Sequence, residues 1–102
     1  MLYKVSANFH KNLLAEFFAK LTDGSIQNQE PDGSTMVSAM KEAKITKEHE
    51  LLWYEECYCS TPFAHERKTV YDTYLYDLKT QLVTELKDDI SGDSFWEYMK
   101  KL

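Results

Sequence analysis

Residues 51–62, LLWYEECYCSTP, decide the architecture. In an extended chain Leu51, Trp53, Cys57 and Cys59 point to one side, and Leu52, Tyr54 and Tyr58 to the other. A strand apolar on both faces belongs in the middle of a sheet. The run ends at Ser60-Thr61-Pro62, which reads as a helix opening. Thr61 is the expected cap, and Pro62 takes the first helical position, where a missing N–H is no loss. Phe63, Val70, Tyr74 and Leu78 form the apolar stripe of that helix, flanked by Tyr71 and Leu75.

Upstream, Leu2 to Phe9 alternates, with Tyr3, Val5, Ala7 and Phe9 on one face, which predicts a half-buried strand. Leu14, Phe17, Phe18 and Leu21 then recur at helical spacing, between a cap at Asn12 and a stop at Gly24. Met36, Ala39, Met40 and Ala43 predict a second, short helix near 35–43. Ile45 begins a brief strand, and TKEHE turns the chain back into the central one. Downstream, Leu78, Thr80, Leu82, Thr84 and Leu86 alternate with polar neighbours, so a strand with one wet face is expected there. The last stretch, SGDSFWEYMKKL, closes the chain with a short capped helix carrying Phe95, Met99 and Leu102 on one side. So short a helix does not persist alone in water, so it must dock.

This order predicts a single α+β domain over residues 1–102. Its expected form is a ferredoxin-like sandwich: an antiparallel sheet with helices on one face, an extra short helix near 35–43 and a C-terminal helix. A chain of 102 residues that is 43% apolar can build one core without staples. The formal charge of −5 opposes nucleic-acid binding, which needs clustered positive charge, and lends nothing to anionic membranes. No apolar run approaches ~20 residues, and the first ten lack the basic-then-apolar pattern of a secretory signal. With two cysteines in one Cys-x-Cys and no disulfide framework, a soluble cytoplasmic protein is expected. Seven tyrosines, five phenylalanines and two tryptophans exceed what so small a core hides. A homodimer formed sheet to sheet, completed by the Phe95–Trp96 helix, would cover the remainder. Tyr54 and Tyr58 could instead stack RNA bases, but the acidic balance speaks against it.

The chemistry concentrates between Cys57 and Arg67. On a strand the two thiols would run parallel, about 6.5–7 Å apart at Cα, at the limit for a disulfide. With His65 they offer a three-ligand zinc set, and Glu55, His49 or His10 could add a fourth. Cys59 beside a helix N-terminus, with His65 one turn in, is also the raw material of a nucleophilic site. Glu66 or Arg67 would position the substrate, while Glu55 and Glu56 oppose a thiolate. Ser60, Thr61, the first-turn N–H groups and Arg67 could hold a small polar or anionic ligand. The plainer alternative is two small thiols packing the end of a strand. The leading expectation is a cofactor-free binding or accessory protein with its pocket at the 57–67 corner. An enzyme using His65 as acid/base and Cys59 as nucleophile comes second, and a metal site of Cys57, Cys59 and His65 third.

Overall fold

The computed structural model describes every residue, Met1–Leu102. β1 (Leu2–Phe9) leads through a tight turn (Lys11–Leu13) into α1 (Leu14–Thr22) and then α2 (Gly33–Glu42). β2 (Lys44–Ile45) and β3 (Leu51–Glu56) follow, then a helical run over residues 64–74, here α3. β4 (Leu75–Val83), β5 (Asp93–Ser94) and α4 (Phe95–Lys100) complete the α+β domain. The strands form one antiparallel sheet in the order β4-β1-β3-β2-β5.

The alternation in β1 does what period two requires. Tyr3, Val5 and Ala7 are buried beneath the helices, and Lys4, Ser6 and Asn8 face the other way. Val5 pairs with Trp53 on one side and with Thr80 on the other. Helix α1 contributes Leu14, Phe17 and Leu21 to the core, α2 contributes Met36, Val37 and Met40, and α4 contributes Phe95 and Met99. The terminal helix docks as its length demands. Phe18 of α1 meets Trp96 edge-on at 5.0 Å, and Ser94 caps α4 by accepting the Glu97 N–H at 3.2 Å.

Four boundaries differ from the sequence expectation, each for a physical reason. β3 ends at Glu56, not Cys59; beyond it only the Cys57 N–H reaches back, to the Met1 carbonyl at 2.9 Å. Helix α3 opens at Ala64, not at Thr61–Pro62, because Thr61 first closes a turn by accepting the Ala64 N–H at 3.1 Å. Phe63, left-handed at φ 60°, makes the junction. Helix α3 then stops at Tyr74, since Leu75 goes to pairing with Phe9 rather than to another helical turn. β4 ends at Val83, where β1 runs out at Leu2, so Thr84 and Leu86 are not strand residues.

Helix α3 is itself irregular: Ala64–Glu66 and Asp72–Tyr74 are α-helical, but Arg67–Tyr71 forms a wide π turn. Residues five apart sit about 140° apart around a regular α-helix and cannot share a face. The i→i+5 turn brings them together, and it buries Glu66, Val70 and Tyr71 on the same side.

The face of the sheet away from the helices is partly crossed by residues 84–92. Asp89 holds them there, accepting from Tyr54 Oη at 2.6 Å and Lys4 Nζ at 3.1 Å. Gly92 then lets the chain return to the sheet: a Cβ there would lie 2.2 Å from the Ile45 carbonyl oxygen. No helix is long and apolar enough to cross a membrane.

Candidate functional site

The side chains expected to share one corner divide into two groups. Cys57 Sγ accepts the N–H groups of Cys59 at 3.4 Å and Phe63 at 3.3 Å, so leaving the strand folds the chain around that sulfur. Burial pushes the Cys57 thiol up to about 11, which makes it a poor nucleophile at neutral pH. Cys59 donates to Glu66 Oε1 at 3.5 Å. Cys57, Cys59 and Glu66 hold their ligand-type atoms within 4.8 Å of one another, the one soft donor cluster in the chain close enough to share a cation. As it stands, each thiol is engaged by the protein.

His65 is not part of that cluster. Its Nδ1 lies 2.5 Å from Asp32 Oδ2, and Asp32 Oδ1 accepts from Gln29, which also reaches Thr69. The imidazole therefore ties α3 to the segment before α2, and Asp32 spends its carboxylate there instead of capping α2. Arg67 turns to Asp72 of its own helix at 2.9 Å. Ser60 and Thr61 are exposed, and the helix-opening amides beside them are partly consumed by Cys57 and Thr61 itself. Of the remaining histidines, His10 stacks on Tyr76 and His49 sits in the turn before β3.

A different residue dominates the polar interior. Alternation along β3 turns Glu55 to the covered face with Leu51 and Trp53, where it is only 3% exposed. Its Oε1 accepts from Trp53 Nε1 at 2.8 Å and from the Tyr71 hydroxyl at 2.6 Å. Its Oε2 has no partner, and it is the only buried side-chain polar atom in that position. Burial raises the Glu55 carboxyl to about 8, opposed by the two donors and reinforced by the charges of Glu66 and Asp32. At neutral pH the group is mostly a neutral acid. The Tyr71 phenol is likewise held well above its ordinary value, by burial first and then by Glu55.

Glu55 also lines a cleft of about 690 Å³, within the range of small-molecule sites. The cleft exists because β2 is so short. It pairs only Leu51 and Leu52, so Trp53–Glu56 have β1 on one side and no strand on the other. Helix α2, through Thr35, Ser38 and Glu42, walls one flank of that bare edge, and residues 86–88 with Ile90 wall the other. None of residues 57–67 lines it.

The sequence alone presents Glu55 only as a charge opposing a thiolate and as a spare metal ligand. The available signal was its phase: two residues beyond Trp53, it shares the buried side of the strand. Comparison with protein-family models, with curated proteins and with solved structures finds no match to this chain.

Proposed function

We propose that the chain is a small binding or accessory protein, built as a ferredoxin-like sandwich, that holds its ligand in the cleft along Trp53–Glu56. The observation that carries this reading is Glu55, a buried carboxyl lining a cleft with one oxygen lacking any partner. Leaving such a group unsatisfied costs on the order of 1–3 kcal/mol, which a ligand's polar group would recover. The sandwich reading is supported by the strand order, in which β3 lies between β1 and β2 while β1 lies between β3 and β4. β5 and α4 are additions to that plan. Binding is preferred to thiol–imidazole catalysis, and to a cation held by Cys57, Cys59 and His65, because His65 is committed to Asp32 and Cys59 to Glu66. The two free thiols support a reducing compartment. A homodimer belongs to the same reading, supported by the nine-residue outer edge of β4, which has no strand beside it.

The test is amide mapping by NMR while a fragment library is titrated into the protein. Responses should gather on Trp53–Glu56, on α2 and on residues 86–90. Responses gathered on residues 57–67 instead would overturn the assignment.

A further inference from the structure

We propose that the cleft takes a small organic cation, an alkylammonium, with its charged head on Glu55 Oε2 and its chain along the apolar wall. The inference rests on the cleft being the ligand site and adds the chemistry of what enters.

Three observations point the same way. Oε1 of Glu55 already accepts two hydrogen bonds, so once the carboxyl gives up its proton to solvent, its second oxygen is free for a cation. The rim is acidic, with Glu42, Glu56 and Asp88 against Lys44 and Lys87. Glu66, itself 1% exposed, and Asp32 also act on Glu55 through their charges. A positive head at Oε2 would relieve all of these repulsions at once, whereas an anionic head would add to them. A neutral acceptor could take the Glu55 proton but would leave the acidic surroundings uncompensated.

The remaining demands of an ammonium are also met. It carries three N–H donors and needs acceptors for each. The bare edge of β3 presents backbone carbonyls beside Glu55, as any unpaired strand edge does. Leu2, Leu86 and Ile90 on the same cleft supply apolar surface for a short carbon chain.

The experiment compares n-butylammonium, butanol and butyrate, each titrated at neutral pH into protein carrying a labelled Glu55 side-chain carboxyl. Butylammonium is expected to bind about tenfold or more tighter than butanol, and to move the Glu55 carboxyl carbon toward its ionised position. Butyrate is expected to leave the cleft amides unmoved. Glu55→Gln should lose about tenfold or more in affinity for butylammonium while keeping its response to butanol. If butanol or butyrate matches butylammonium at the cleft, the cation is wrong and the cleft stands. If none of the three perturbs the cleft at millimolar concentration, the cation is again wrong, and the fragment mapping judges the cleft separately. The comparison on the unaltered protein does not depend on the variant folding.

Discussion

Oε1 of Glu55 is taken by Trp53 and Tyr71, so ionising the buried carboxyl adds a charge that Glu66 and Asp32 both oppose. That arrangement gives the protein a pH dependence with a definite sign. In the unfolded chain the group titrates near its ordinary 4.5; in the folded one, at about 8. Between those values the unfolded state has released the proton and the native state retains it, so unfolding is favoured progressively as pH rises. Stability is therefore expected to fall from about pH 4.5 to about pH 8 and then level off, by an amount on the order of a few kcal/mol. Glu55→Gln, which cannot ionise, should flatten that decline. Urea unfolding of both proteins at the two ends of the range checks it; parallel declines would remove Glu55 as the cause.

At the scale of elements, the π turn of α3 is the departure with the clearest consequence. It contains one residue more than an α turn needs, and Lys68 within it is exposed. Deleting Lys68 would leave Glu66 and Tyr71 four apart, the ordinary spacing for one helical face. The shortened protein is expected to fold cooperatively, within about 1 kcal/mol of the parent, with Tyr71 still on Glu55. Thermal unfolding together with the Tyr71 ring resonances reads this directly; a loss of cooperative unfolding would show that the wide turn is itself required.

What was legible in the sequence follows the same division. β1, α1, α2 and α4 announced themselves because each repeats one period over its length and ends in polar or turn residues. The ends of β3 and α3 did not. Cys57, Tyr58 and Cys59 continue the strand alternation, and Leu75 and Leu78 satisfy helix and strand periods equally, so only pairing with Met1 and Phe9 decides them. β5 is two residues long and exists solely as a partner for β2. In the site, periodicity could place Glu55 on a face but not enclose it. Its burial depends on Tyr71, sixteen residues away and turned inward by an irregularity that no local pattern encodes. The expected meeting of Cys59 and His65 failed for the converse reason: each found a partner, Glu66 and Asp32, that spacing from a supposed Thr61 cap does not reveal.

For the molecule as a whole, the outer edge of β4 is the feature that bears on assembly. Leu82 and Tyr76 are exposed on that strand, and Asp77 and Lys79 are the charges that would discourage indiscriminate pairing. A dimer joined there should sediment at twice the 12.0 kDa of the chain at tens of micromolar; a single species at the monomer mass would discard that interface.

The position of β1, between β3 and β4, also sets a timetable. Its pairs join residues as distant as Leu2 and Val83, and such remote closures slow the search for the native state. During synthesis β1 must wait with one flank bare until β4 has been made. Whatever guards nascent chains against sticking must, in this protein, keep watch over that flank until then.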